Sequence, residues 1–287
     1  MMGRVLRAAC VQLCSGLDPE AGVRAASELI REAAAAGARY VLTPENTVLM
    51  DEDKARVGSL VGTMEDDASV AAFSALAAEL GIFLHVGSLA LRTGDADDDR
   101  LANRSILFDP AGRIRAWYDK IHLFDVRLGG SERDYRESAY IRPGGRAVLA
   151  EADDVRIGMS ICYDVRFPAL YRTLAKAGAE CLAVPAAFTV PTGRAHWHVL
   201  LRARAIENGA FVLAAAQGGR HESGRATYGH SLIVSPWGEI LAEAGEEPAV
   251  IRADLDMDRV ADVRARIPVL RNEREFDPPA ADRALER

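Results

Sequence analysis

Cysteine is scarce. The chain has four in 287 residues: Cys10, Cys14, Cys162 and Cys181. Their irregular spacing makes neither a disulfide framework nor a Cys-x-x-Cys metal or redox motif. Histidine is nearly as sparse, at six. His196 and His198 stand two apart on a predicted helix and so do not share a face. With His221 they make no convincing ligand set, and neither a metal nor another cofactor is expected. No apolar run is long enough to span a bilayer. The amino terminus runs straight into a strand-like Leu6–Leu13, without the apolar segment and small-residue cleavage site of a secretory signal. A reduced, cytoplasmic protein is therefore expected. Positive charge is in deficit, with 35 Lys and Arg against 42 Asp and Glu, net −7. That argues against broad electrostatic binding to nucleic acid. No linker, composition shift or short-period repeat divides the chain. One domain over residues 1–287 is expected, with a polar tail from about residue 268.

What is present is an alternation of short β-like runs and helical runs. Pro19–Ala36 reads as an Ala-rich helix stopped by Gly37, and Asp67–Leu80 as one ended by Gly81. Tyr40–Thr43 and Ile82–Leu89 read as strands. Gly94–Arg100 carries four aspartates, but the spacing and terminal Glu of a calcium loop are absent, and a solvated hairpin tip is expected. Ser105–Phe108 and Ile114–Tyr118 flank a turn at Asp109-Pro-Ala-Gly112. A loop-rich stretch runs from Lys120 to Arg146. Val155–Ile161, Pro168–Ala177 and Cys181–Val184 make a strand–helix–strand unit. Ala195–Asn208 is a helix, and Phe211–Ala216, Ser231–Val234, Glu239–Ala244 and Val250–Asp254 are strands. Met257–Ile267 closes the pattern as a helix. Strands joined partly by helices and partly by hairpins indicate a layered α/β or α+β fold with mixed sheets.

Three positions invite a chemical role. Cys162 follows the apolar run Val155–Ile161 and precedes a helix opening at Pro168. A thiol at a strand's carboxyl end and near a helix amino terminus is where a thiolate is favoured. A buried, inert thiol is the alternative. Glu45, in Thr43-Pro-Glu-Asn-Thr47, directly follows a short strand, from which a carboxylate can project into a cleft or into solvent. Lys120, in Trp117-Tyr-Asp-Lys-Ile-His-Leu-Phe-Asp125, lies among apolar neighbours. Either it is partly desolvated and needs a counter-charge, or its stem lies on the surface with its head in water. His122 is a competing base or a structural hydrogen-bonding group. Together, a thiol nucleophile, a carboxylate base and a lysine suffice for amide hydrolysis. The backbone N–H of Tyr163 is a second oxyanion donor. A thiol redox role lacks a resolving partner, because Cys181 lies across a predicted helix from Cys162.

The chain resembles the carbon–nitrogen hydrolase, or nitrilase, superfamily. The resemblance rests on segments in order: Pro44-Glu45, Asp119-Lys-Ile-His-Leu-Phe124, Gly158-Met-Ser-Ile-Cys-Tyr-Asp-Val-Arg-Phe-Pro168, Ala195–Glu207 and Tyr228–Gly238. It implies a four-layer α–β–β–α sandwich, a Glu-Lys-Cys triad of Glu45, Lys120 and Cys162, and pairing into a homodimer. It also nominates Glu137, ahead of Pro143-Gly-Gly145, to position the lysine or the substrate. Ala214–His221, Tyr228–Ser231 and Trp197–Glu207 look like the amidases acting on deaminated glutathione. Alternatives are an ω-amidase on 2-oxoglutaramate, an N-carbamoyl amino acid hydrolase, or an inactive interaction protein on the same fold. A carboxylate-bearing small-molecule amide nominates Tyr163, Arg166, Arg220 and His221 as binding residues. For Arg166 the alternative is an ion pair with Asp164 or another acid. One departure is Ala169, where many relatives carry Glu at the start of the helix.

Overall fold

The computed structural model describes residues 4–127 and 134–278. The chain opens with β1 (Val5–Gln12) and α1 (Pro19–Ala35). Asp18 caps α1 by accepting from the Glu20 N–H, and Pro19 takes the first helical turn, where its missing donor is not needed. Then come β2 (Tyr40–Leu42), α2 (Lys54–Leu60), α3 (Ala68–Leu80), β3 (Phe83–Arg92), β4 (Leu101–Phe108) and β5 (Ile114–Asp119). A two-residue pair, β6 (Asp125–Val126) and β7 (Tyr135–Arg136), precedes β8 (Val148–Ala152), β9 (Val155–Met159), α4 (Pro168–Lys176), β10 (Cys181–Ala183), α5 (Val190–Asn208) and β11 (Phe211–Ala214). The hairpin β12 (Gly218–Arg220) and β13 (Ala226–Tyr228) leads to β14 (Leu232–Val234), β15 (Ile240–Glu243), β16 (Ala249–Asp256), α6 (Asp258–Arg266) and α7 (Val269–Asn272).

Two six-stranded sheets result, ordered β16-β1-β2-β3-β4-β5 and β15-β14-β11-β10-β9-β8. Each has three parallel strands, β1-β2-β3 and β9-β10-β11, with antiparallel strands completing both edges. The period-two pattern of β1 sets the layering. Leu6, Ala8 and Cys10 join an apolar cluster with β9, β10 and β11, whereas Ala9, Val11 and Leu13 join a cluster with α1 and α3. Leu170 and Leu174 of α4, with Trp197 and Leu201 of α5, pack against the second sheet. The layers are therefore α1/α3, sheet, sheet, α4/α5: the expected α–β–β–α sandwich.

The differences from the sequence reading have local causes. Helix α5 begins at Val190, five residues before the expected Ala195, because Pro191 and Gly193 fit the first turn and disguise it. Strand β8 reaches β9 through Asp153 and Asp154, both at positive φ (47° and 61°). A two-residue turn of that kind is usually announced by glycine, and Asp-Asp hid it. Helix α2 buries only Val57 and offers no periodic signal. Helix α7 lies inside the stretch expected to be a polar tail; positions 279–287 lie outside the described residues. The acidic Gly94–Arg100 segment joins antiparallel β3 and β4, as expected of a hairpin tip. Among the described residues no helix is long and apolar enough to cross a membrane.

Between the sheets lies a fully buried histidine, His85. Its Nδ1 meets the Tyr40 hydroxyl and its Nε2 lies 2.7 Å from Ser105 Oγ. Burial pushes His85 down from its usual value to about 3, so it is neutral in the fold. In the unfolded chain it titrates near 6.5. Its stabilising effect is thus complete above about pH 6.5 and is lost as pH falls toward 3. Urea titrations should show wild-type stability falling below pH 6.5 by up to about 1.4 kcal/mol per pH unit more than in His85→Asn. Parallel stability curves for the two proteins would contradict this.

Candidate active site

Glu45 leaves the end of β2 on a loop held from several sides. The Thr43 hydroxyl accepts from the Gly87 N–H at 2.9 Å and lies 2.8 Å from the Thr47 hydroxyl. Thr47 Oγ1 in turn donates to the Pro44 carbonyl at 2.7 Å. A Cβ on Gly87 would stand 2.0 Å from the Thr43 carbonyl oxygen and 2.5 Å from that of Pro44, so only glycine lets this loop close on β3. Gln217 donates to the carbonyls of Glu45 and Asn46, both at 3.0 Å. Glu45 is 4% exposed. Its Oε1 accepts from Lys120 Nζ at 2.8 Å and Asn103 Nδ2 at 3.0 Å, and its Oε2 from the Ala187 N–H at 3.0 Å.

Lys120 follows β5 directly and is 2% exposed. A second carboxylate embraces it: Glu137 Oε1 and Oε2 lie 3.1 and 2.9 Å from Nζ. Glu137 sits in a short 3-10 turn, Glu137–Ala139, and also accepts from the Phe124 N–H at 2.6 Å and Asn103 Nδ2 at 3.2 Å. One buried cation thus bridges two buried anions. Burial pushes Lys120 down, but Glu137 and Glu45 outweigh it and hold the ammonium well above its usual range. Burial pushes Glu45 up, yet the charge and hydrogen bond of Lys120, the Cys162 hydrogen bond and the charge of Arg225 bring it below the usual carboxylate value.

Cys162 begins a 3-10 turn, Cys162–Arg166, with φ of +49°. A non-glycine residue there carries about 1 kcal/mol or more of backbone strain. The turn is nailed down by Asp164, whose buried carboxylate accepts from Ile161 N (2.8 Å), Tyr118 Oη (2.7 Å), His122 N (3.0 Å) and His122 Nδ1 (2.7 Å). His122, stacked on Phe167 at 3.6 Å, therefore fixes the turn and does not face the thiol as a base. The Cys162 N–H donates to the Pro185 carbonyl at 2.8 Å. As a first-turn donor, the Tyr163 N–H has no partner within the turn. The expected helix-dipole thiolate is not what the geometry gives, since α4 begins only at Pro168. Burial and the Glu45 charge push the thiol well above its usual range, against the opposing pull of Lys120 and the Ala187 N–H. At neutral pH the resting thiol keeps its proton, in the same cleft as the Glu45 carboxylate.

A cleft enclosing about 530 Å³ of atom-free space opens onto this group. It is lined by Glu45, Lys120, Glu137, Cys162, Tyr163 and Arg166 from the sequence reading, and by Phe188, Thr192 and Arg225 that it passed over. Arg166 pairs with no carboxylate among the described residues. It meets His196 Nδ1 at 3.2 Å and lies over the rings of Phe188 and Tyr163, at 5.4 and 5.8 Å. Arg220 and His221 do not line the cleft. Arg220 is exposed, and His221 is buried between the Ser15 carbonyl (2.9 Å) and Thr227 Oγ1 (2.7 Å). They belong to the hairpin that presents Arg225, so the sequence reading found the segment and missed the residue. Asn103, Asp164 and Gln217 were missed as supports. Asn103 had a signal: an amide inside the apolar run of β4. Ala169 is exposed in the first turn of α4.

Away from the cleft, His198, His230 and Glu243 bring one donor atom each within 4.8 Å of one another. The pattern His196/His198 hid this, because His198 finds its neighbours across the fold. Both rings already bond to Glu243 Oε1, at 2.9 and 3.1 Å.

Residues 7–265 match the family model for carbon-nitrogen hydrolase. Over 266 residues the chain is 37% identical to the deaminated glutathione amidase of Yersinia enterocolitica, covering 93% of this chain and 92% of that protein. Over 255 residues it is 36% identical to omega-amidase NIT2 of Xenopus tropicalis, covering 87% and 88% respectively. Among solved structures, the C. elegans NitFhit protein matches with a TM-score of 0.87 at 36% identity, over 96% of this chain and 66% of that one.

Removing the bridging cation should leave two buried carboxylates unpaired. Lys120→Met is expected to lose about 3–5 kcal/mol at pH 7. The loss should shrink toward pH 4–5, because the orphaned carboxylates, now raised above their unfolded value of about 4.3, take up protons in the fold. Denaturation at a series of pH values checks this, and a small, pH-independent loss would contradict it.

Proposed function

The chain belongs to the carbon–nitrogen hydrolase family, and on that premise we propose that it is an amidase acting on deaminated glutathione. It cleaves the amide between the 2-oxoglutaryl group and cysteinylglycine, releasing 2-oxoglutarate and the dipeptide. The observation that carries this reading is one cleft that brings together the Cys162 thiol, held in its protonated form, the Glu45 carboxylate, a lysine locked in its charged form and a guanidinium that pairs with no carboxylate among the described residues.

The chemistry follows from those protonation states. Glu45 takes the thiol proton as the sulfur attacks the amide carbon, forming the S–C bond. Negative charge moves to the carbonyl oxygen, where Lys120 Nζ and the Tyr163 N–H stabilise it. Glu45 returns the proton to the nitrogen as the C–N bond breaks, leaving a thioester. It then deprotonates a water that attacks the thioester, and the thiol is restored. Glu137 keeps Lys120 charged and aimed. Arg166 takes the 2-oxo acid carboxylate of the acyl group through charge-assisted hydrogen bonds.

The similarity to an omega-amidase supports a second reading, hydrolysis of 2-oxoglutaramate, which has the same acyl group and releases ammonia. The homodimer is part of the proposal, supported by exposed Val199, Ile206, Trp237 and Ile240, with Ile206 lying against Gly238. A cytoplasmic setting accords with the lack of any disulfide among the four cysteines.

Rates of 2-oxoglutarate release from deaminated glutathione and 2-oxoglutaramate, and of ammonia release from an N-carbamoyl amino acid, test the assignment. The highest kcat/KM is expected for deaminated glutathione, and Cys162→Ala should abolish turnover of all three while leaving the fold intact. Undiminished turnover by that variant, or preference for the carbamoyl substrate, would overturn it.

A further inference from the structure

Arg225 has the marks of a ligand-binding guanidinium. It sits in the turn between β12 and β13, half-buried, on the wall of the cleft. One contact is firm: Nη2 donates to the Ala187 carbonyl at 2.8 Å. Nη1 lies 3.7 Å from the Met50 sulfur, a weak acceptor. Its Nε is buried with no partner, and no carboxylate among the described residues pairs with it. A guanidinium carries five donors, and with one of them firmly met the group keeps donors for a charge-assisted pair with an anion in the cleft.

Its place is not equivalent to that of Arg166. Arg166 belongs to the Cys162 turn. Arg225, from the β12–β13 turn, reaches Met50 beyond the Glu45 loop and lines the cleft beside Asn46, and its charge acts on the Glu45 carboxylate. The leaving nitrogen must face Glu45, which hands it a proton. The leaving group therefore departs on the side of Arg225. There the cleft continues into a second space of about 530 Å³, and Asn46, Glu137, Tyr140 and Arg225 line both.

We propose that Arg225 binds a carboxylate on the leaving-group side of the scissile amide. The cleft is then built for a doubly anionic amide: Arg166 holds the acyl-side carboxylate, and Arg225 holds the terminal carboxylate of a short peptidyl amine. This rests on the amidase reading above and adds to it a reason for preferring a peptidyl leaving group to ammonia.

Three substrates separate the possibilities: deaminated glutathione, its carboxy-terminal amide, and 2-oxoglutaramate, which has no leaving-group carboxylate. Wild-type enzyme should lose about 10- to 100-fold in kcat/KM between the first and second, mostly through KM, as expected for loss of a charge-assisted pair. For Arg225→Met, the loss on deaminated glutathione should exceed the loss on 2-oxoglutaramate by at least about 10-fold. Arg225→Lys, which keeps the charge without the fork, should fall between. Residual turnover of 2-oxoglutaramate shows that each variant is folded. Equal losses on deaminated glutathione and 2-oxoglutaramate, or no wild-type preference for the free carboxylate, would overturn the role of Arg225 alone. Wild-type turnover of neither would overturn the amidase reading and this inference with it.

Discussion

The ammonium of Lys120, clasped by Glu45 and Glu137, is the interaction on which the site depends. Its parts come from the end of β2, the end of β5 and a 3-10 turn, so the cluster forms only when those elements are in register. Such an arrangement is poor stabilisation. Desolvating three charges costs several kcal/mol each, and apolar residues of the same volume would serve the fold as well. What it supplies is a fixed pattern of charge: a lysine that cannot give up its proton and a glutamate that stays ionised beside a thiol. The thiol, buried and facing that glutamate, keeps its proton until a substrate draws the sulfur forward. On the proposed mechanism the nucleophile is thus made by a neighbouring base at the moment of attack and is not stored as an anion.

Much of this was legible in the sequence. The period-two and helical patterns gave most elements, since burial on one face leaves a mark in composition. The four-layer stacking came from the resemblance, because periodicity shows which residues are buried and not which sheet covers them. Glu45, Lys120 and Cys162 stood out from their local settings, Glu137 came from the resemblance, and the fold brings all four to one cleft. The error over the thiol arose because proximity to Pro168 suggested a helix dipole, whereas the intervening 3-10 turn and the Glu45 carboxylate govern the proton. The supports were hidden for a different reason. Asn103 bonds the Glu45 and Glu137 carboxylates, Asp164 bonds Tyr118 and His122, and Gln217 bonds the carbonyls of Glu45 and Asn46, all partners far away in sequence, and only Asn103 left a local mark, as an amide in an apolar run.

The arginines that line the cleft were half legible. Arg166 declared itself by lying next to the nucleophile. Arg225 did not, because its relevance depends on a hairpin whose geometry is set by His221, Thr227 and the Ser15 carbonyl. His221 looked like a binding residue and is in fact a strut. On the proposed reading the unequal positions of the two arginines give the cleft a direction, with the acyl group toward the Cys162 turn and the departing amine toward the Glu45 loop.

The central claim is that Cys162 rests as a thiol beside an ionised Glu45, not as a thiolate paired with Lys120. The thiolate ultraviolet absorbance of wild type minus Cys162→Ala, titrated between about pH 5 and pH 9 around the ordinary thiol value of about 8.5, measures this directly. The account predicts no Cys162-dependent rise across that range. A thiolate step near neutrality or below would contradict it.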